Sequence, residues 1–327
     1  MPGSVEITPW HWAGFILCVL IFLALDLGLF HRQARVVKFK EAAAWSAVWF
    51  ALAMAFAGAM AHWRGREEAV QFTTGYIIEL SLSLDNILVI ALIFAWFRIP
   101  VKFQHRLLFW GILGALVMRG AMIAAGVELI HQFDWVLYVF GAFLVCAGFK
   151  MLFSGKETVQ PEKSLALRLA RKCFAVAPDL DGQKFLTRLD GRLALTPLAL
   201  VLLLIETTDL IFAVDSVPAV FSVTRKAFIV FTSNIFAIIG LRSMYFLLAG
   251  ALGYFRHLKI GLSFVLAFIG VKMLLDPHGQ EPKGFQVEIP TGVSLMTVAT
   301  IIVIALVLSV MVAEREKRTG ADNSSKP

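Results

Sequence analysis

The sequence predicts an all-α fold, a polytopic transmembrane helix bundle of about nine spans, and three observations carry that prediction. Of the 327 residues, 59% are hydrophobic and only 16% charged, too apolar a balance for a surface solvated by water. The apolar residues fall in runs of about twenty, the length a helix needs to cross a hydrocarbon core of roughly 30 Å. The basic residues gather in the short connections between those runs and alternate in density from one connection to the next. A soluble enzyme is excluded. The net charge of +7 reflects membrane orientation, with no nucleic-acid-binding stripe left over.

The nine spans are expected near residues 10–30, 42–62, 72–97, 106–127, 134–153, 195–220, 226–249, 258–276 and 293–313. Residues 1–9 carry no Lys or Arg and no small-residue cleavage site follows the first apolar run, so that run is expected to stay as a helix. The chain divides into two leading helices (1–71), a three-helix unit (72–153), a cytoplasmic linker (154–194), a second three-helix unit (195–276), an outer loop with the ninth span (277–313) and a disordered cytoplasmic tail (314–327). The linker mixes charges of both signs with Pro161, Pro178, Gly182 and Gly191. Its SLALRLARKCFAV stretch is amphipathic, so it reads as a partly helical, solvated connector.

Sidedness follows from the basic residues. Twenty-one lie in one set of alternate connections, eight of them between 154 and 194; five (Arg64, Arg66, Arg225, Lys226 and Lys283) lie in the other. The amino terminus is therefore expected outside and the carboxyl terminus inside. Cys18, Cys146 and Cys173 form no CxxC or CxxxC pair, so neither a disulfide framework nor a zinc site is indicated.

An internal repeat is also legible. Gly148-Phe149-Lys150-Met151-Leu152 ends the fifth span and Gly270-Val271-Lys272-Met273-Leu274 ends the eighth, placing Lys150 and Lys272 122 residues apart. Arg119 and Arg242 in the fourth and seventh spans are 123 apart, and Asp85 and Asp209 in the third and sixth are 124 apart. A near-constant offset across three helices predicts duplication of a three-helix unit. Because three is odd, the copies enter the membrane from opposite sides, an inverted repeat of spans 3–5 and 6–8.

The chemistry lies in two stretches. The third span carries Glu79, Asp85 and Asn86, the sixth Glu206, Asp209 and Asp215. A charge at the centre of a membrane helix costs about 2.5 to 3.5 kcal/mol on insertion scales, so five acids must face the bundle interior or an aqueous cavity. Glu79, Ser83 and Asn86 recur at helical spacing, as do Glu206, Asp209 and Ser216, giving two polar stripes able to face each other. Pro218 removes a backbone donor and is expected to expose carbonyls near Val214 and Asp215. The acids outnumber Arg119 and Arg242, so the cavity favours a cation. Its ligands are carboxylate, amide and hydroxyl oxygens, with Ser83 and Ser216 as additional ligands, which suits hard divalent ions such as Mn²⁺, Ca²⁺ or Mg²⁺. Sodium and protons stay open on chemistry alone. Arg119 and Arg242 read equally as structural counter-charges and as gates. Lys150 and Lys272, at span ends, read as snorkelling to the interface, Asp26 as structural and His62 as an interfacial anchor.

At these residues the chain resembles the TerC family of integral membrane proteins and is similar in length and layout to its Alx-type bacterial members. The resemblance covers residues 10–313 and is most specific in Glu79-Leu-Ser-Leu-Ser-Leu-Asp85-Asn86 and in Glu206-Thr-Thr-Asp209-Leu-Ile-Phe-Ala-Val-Asp215-Ser216-Val-Pro218-Ala. It implies manganese export from the cytoplasm across the bacterial cytoplasmic (inner) membrane and a link to tellurite resistance and to alkaline or metal stress. The partners implied are the lipid bilayer, a divalent metal ion and protons, with no tightly bound cofactor. No GxxxxGK[ST] loop is present, so energy would come from ion gradients, and no nucleophile–base constellation suggests an enzyme. The competing expectation is a non-transporting membrane scaffold or assembly factor acting in tellurite or metal stress resistance.

Overall fold

The computed structural model describes residues 7–30, 39–153, 164–189, 191–249, 258–276 and 286–323. Among the described residues nine long helices follow the predicted spans: α1 (Pro9–Phe30), α2 (Phe39–Trp63), α3 (Arg66–Trp96), α4 (Val101–Gln132), α5 (Val136–Phe153), α7 (Pro197–Phe221), α8 (Ala227–Ala249), α9 (Leu258–Leu275) and α10 (Thr291–Asn323). The linker holds a short helix, α6 (Leu165–Cys173), and three strands, β1 (Ala175–Val176), β2 (Leu186–Leu189) and β3 (Arg192–Leu195). Eight of the helices are long and apolar enough to cross a membrane, and α1 is apolar over Pro9–Ala24. Large apolar side chains such as Ile211, Val303 and Met311 are exposed on the outer faces. Such a surface would drive aggregation in water and is the expected surface in lipid.

Helix starts follow local chemistry. Thr196 caps α7, its hydroxyl accepting from the Ala199 N–H at 3.4 Å, and Pro197 fills the first turn, where an N–H has no helical partner. At α4 the proline, Pro100, sits one position earlier, at the N-cap itself, with no side-chain cap. α7 continues through Pro218, which lacks the N–H that would otherwise pair with the Val214 carbonyl. Two differences from expectation stand out. α10 runs on to Asn323, so most of the tail expected to be disordered is helical; Ser324–Pro327 lie outside the described residues. The linker also contains a sheet of order β1-β3-β2, with β1 parallel and β2 antiparallel to β3. Its strands are two to four residues long, too short to show a periodic signal. The β2–β3 hairpin turns at Gly191, whose φ of 76° favours glycine. Asp181, in this linker, accepts from Thr187 and Lys184, which hold its carboxyl below the usual carboxylate range. The linker docks on α4 through Phe185, over which the Arg106 guanidinium sits at 4.8 Å.

Inside the bundle α3 packs on α8 and α7, and α4 on α7 and α8. An aromatic cluster including Phe15, Phe56, Phe72 and Phe236 joins α1 and α2 to α3 and α8. α5 and α9 meet through glycines. A Cβ at Gly148 would come within 2.8 Å of the Ser263 carbonyl oxygen and 2.9 Å of the Ala267 nitrogen; one at Gly270 would come within 2.7 Å of the Gly141 carbonyl oxygen and the Val145 nitrogen. These contacts are reciprocal at the offset of 122 that separates Lys150 from Lys272. With no solvent-driven force between helices in lipid, such close backbone approach supplies the attraction. Gly148→Val and Gly270→Val are each expected to destabilise the bundle by about 1–3 kcal/mol, the usual overpacking cost, because the obstructing atoms are backbone. Thermal unfolding in detergent micelles measures this, and unchanged midpoints would disprove the tight seam.

At the end of the bundle opposite the linker, ion pairs tie the turns together. Glu68 accepts from Arg64 at 2.7 Å and Lys226 at 2.8 Å, and Asp134 accepts from Arg225 at 2.9 Å. Consecutive basic residues in the α7–α8 turn thus hold two different neighbours.

Candidate cation site

The α3 stripe places Glu79, Ser83 and Asn86 on one buried face, and α4 sends Arg119 across to meet it. Arg119 is 1% exposed and Glu79 0%. The guanidinium is bidentate to Asp209, with Nε to Oδ2 at 3.1 Å and Nη2 to Oδ1 at 2.9 Å. Its Nη1 pairs with Glu79 and donates to Ser216 at 3.2 Å and to the Asn234 amide oxygen at 3.1 Å. Asn234 closes the ring by donating to Glu79 at 3.2 Å. With its amide oxygen turned inward, Asn86 also accepts from Arg119, at 3.1 Å. Three helices besides α4 therefore converge on one cation. Arginine suits the position because its planar fork satisfies several acceptors at fixed angles, which an ammonium does not.

A second feature lies beside this network. Asp85 and Asn86 from α3, Asp215 and Ser216 from α7 and Met151 from α5 line a small, partly enclosed cavity, walled also by apolar neighbours including Leu82, Phe212 and Leu262. It has room for about one water-sized species, the size of a dehydrated ion. Lys150, exposed at the end of α5, acts electrostatically on Asp215.

The six predicted acidic and amide ligands are thus divided. Asp85, Asn86 and Asp215 share the cavity, with Ser216; Glu79 and Asp209 engage Arg119; Glu206 does neither. The reason is helical phase: Asp209 and Ser216, seven apart, share a face, whereas Asp215 stands nine positions, half a rotation, from Glu206. Glu206 instead lines a separate cleft between α7 and the linker. Among the described residues no three His, Cys, Asp or Glu side chains converge as a metal-holding group, so any ion in the cavity would depend on amide, hydroxyl or thioether donors as well. Ser83 is buried on the same α3 face but is not among the residues that line the cavity. Arg242 is buried on α8. Lys272, expected to snorkel, is 4% exposed, drawn in where α9 packs against α5 and α10; the Asp276 carboxylate acts on it electrostatically. His62 is exposed at the end of α2, and the Asp26 side chain lies outside the described residues.

Two residues were missed from sequence. Asn234 is fully buried beside Ser233 and Thr232, and that polar trio inside an apolar run was a usable signal. Met151 was hidden because a thioether reads as apolar.

The profile of the integral membrane protein TerC family matches residues 64–317. The chain belongs to the TerC family. A Myxococcus xanthus relative, "Uncharacterized membrane protein STKORF319", is 49% identical over 316 residues, covering 96% of each chain. The Escherichia coli K12 protein named "Putative membrane-bound redox modulator Alx" is 44% identical over 299 residues, covering 89% of this chain and 93% of its own. A Rickettsia felis membrane protein is 37% identical over 300 residues, covering 92% of this chain and 97% of its own. No solved structure matches the chain significantly. This TerC member is therefore a multi-pass membrane protein with bacterial relatives.

Proposed function

We propose that this TerC protein exports a divalent cation, Mn²⁺, from the cytoplasm by alternating exposure of the cavity between α3, α5 and α7, in exchange for protons. The observation that carries this reading is the cavity itself: two carboxylates, an amide and a hydroxyl from α3 and α7 around an ion-sized space inside an apolar bundle. The arrangement fits an inverted pair of three-helix units. The exchanged partners, α3 on α8 and α4 on α7, and the reciprocal α5–α9 glycine contacts are what two-fold-related units produce. The basic-residue bias favours an outside amino terminus in the inner membrane, which puts the tied turns outside and the linker inside. Export of a dication against an inside-negative potential costs about 4.6 kcal/mol per 100 mV, so a gradient-driven counter-ion is required.

The direct test is metal flux in proteoliposomes containing the purified protein, with each divalent ion supplied alone. Saturable Mn²⁺ movement supports the reading, and no movement of any divalent ion refutes it. The cavity also refines the selectivity expected from sequence. Oxygen donors admit Mn²⁺ and Ca²⁺ alike, but the Met151 thioether is a soft donor that the hard Ca²⁺ and Mg²⁺ ions use poorly. Met151→Leu is expected to strengthen Ca²⁺ inhibition of Mn²⁺ flux while Mn²⁺ itself still moves. An unchanged competition series would mean that the sulfur does not select.

A further inference from the structure

Glu206 does not share the cavity with Asp85 and Asp215, and its surroundings suit another task. It lines a cleft whose walls are otherwise apolar, formed by Leu202 and Leu203 of α7, Leu169 and Phe174 at α6, and Phe185 and Leu195 of the linker. One carboxylate oxygen, Oε2, is buried without a hydrogen-bond partner. The carboxylate also presses on α4 at Gly114, where a Cβ would overlap it, so glycine there makes room for the acid. Glu206 is half-buried, and a carboxylate with one oxygen enclosed and unpaired in an apolar wall is costly as an anion; binding one proton lowers that cost. The facing groups limit the alternatives. Asp209, one turn along α7, repels a second negative charge but is itself held by Arg119 of α4. Among the described residues Cys173 of α6 is the other titratable residue lining the cleft, and Phe185 and Leu195 of the linker contribute apolar walls there.

We infer that Glu206 is a dedicated proton-binding carboxylate, reached through the cleft between α7 and the linker and separate from the metal cavity. The inference rests on the proton-exchange reading above. The proton adds to a carboxylate oxygen and takes the group from −1 to neutral; nothing else is made or broken. Division of labour follows: Asp85 and Asp215 hold the metal, and Glu206 carries the counter-ion one turn from Asp209, whose partner Arg119 also binds Ser216 at the metal cavity.

The test uses the full-length protein in proteoliposomes and Glu206→Gln, which keeps shape but cannot ionise. Uphill Mn²⁺ movement driven by a pH gradient should be lost, while Mn²⁺–Mn²⁺ exchange at equal pH and equilibrium Mn²⁺ binding persist within about twofold of wild type. In parallel, infrared difference spectra on changing pH should show a protonated-carboxyl band that Glu206→Gln removes. Gly114→Ala, which displaces the acid without deleting it, should shift the pH at which that band appears. Persistence of pH-driven movement and of the band in Glu206→Gln would overturn the inference. So would loss of binding and exchange, which would make Glu206 a metal ligand. If wild-type protein moves no metal but shows the Glu206 band, the transport reading fails and the proton site stands.

Discussion

Arg119→Met is expected to collapse the bundle or leave it severely destabilised. The substitution preserves length and apolar bulk but strips two carboxylates, the buried Glu79 and the part-buried Asp209, of their counter-charge, together with the donors that Ser216 and Asn234 accept from. Breaking a buried ion pair by removing one partner costs about 3–5 kcal/mol, most of it the penalty of stranding a charge. Here one cation serves two acids, which places the loss at the upper end of that range. Membrane abundance and the thermal midpoint in detergent measure it. Arg119→Lys should recover only part of the loss, since an ammonium cannot reproduce the bidentate Asp209 contact. The decisive variant is the triple Arg119→Met, Glu79→Gln, Asp209→Asn, in which no charge is stranded. It should regain most of the abundance lost in Arg119→Met alone. If Arg119→Met accumulates normally, the guanidinium is not the strut holding α3, α7 and α8 together.

That expectation was open from the sequence, where Arg119 and Arg242 looked equivalent and read equally as counter-charges or gates. The spans were legible because lipid imposes one pattern, about twenty apolar residues per helix, and that pattern survives any packing. Which acid meets which partner was not, because it depends on how α3, α4 and α7 are rotated about their axes, and helices apolar on almost every side give little sign of that rotation. The α7 stripe shows the limit. Spacing put Glu206, Asp209 and Ser216 on one stripe, and Asp209 and Ser216 do share Arg119. Glu206, at the edge of that stripe, falls on the other side of a helix–helix boundary and looks into a different cleft. The small strands of the linker were missed for a different reason: a four-residue strand is stabilised by docking, which Phe185, just before β2, provides against Arg106 and Trp110, and carries little local signature of its own.

Asp85→Asn and Asp215→Asn are each expected to abolish metal movement without harming the fold, the opposite profile to Arg119→Met. Both acids line the small cavity, one from each of the two facing helices, and an amide keeps the shape and one oxygen while removing the charge that offsets a dication's lost hydration. Groups that merely support metal ligands are worth about 10–100-fold in affinity, so a lost carboxylate ligand should cost at least that much. Equilibrium Mn²⁺ binding and Mn²⁺–Mn²⁺ exchange should fall together, because exchange needs the same bound state. Asp209→Asn is the informative control. It lies beside the same cavity but spends its charge on Arg119, so it should lower the thermal midpoint first and affect Mn²⁺ affinity less than the cavity acids do. Proton competition separates the two classes further: only carboxylates that must be bare to bind metal should let acid weaken binding directly. Should Asp209→Asn remove binding while Asp85→Asn and Asp215→Asn leave it intact, the metal would sit at the Arg119 network, displacing the guanidinium, and the cavity between α3, α5 and α7 would be only a packing void.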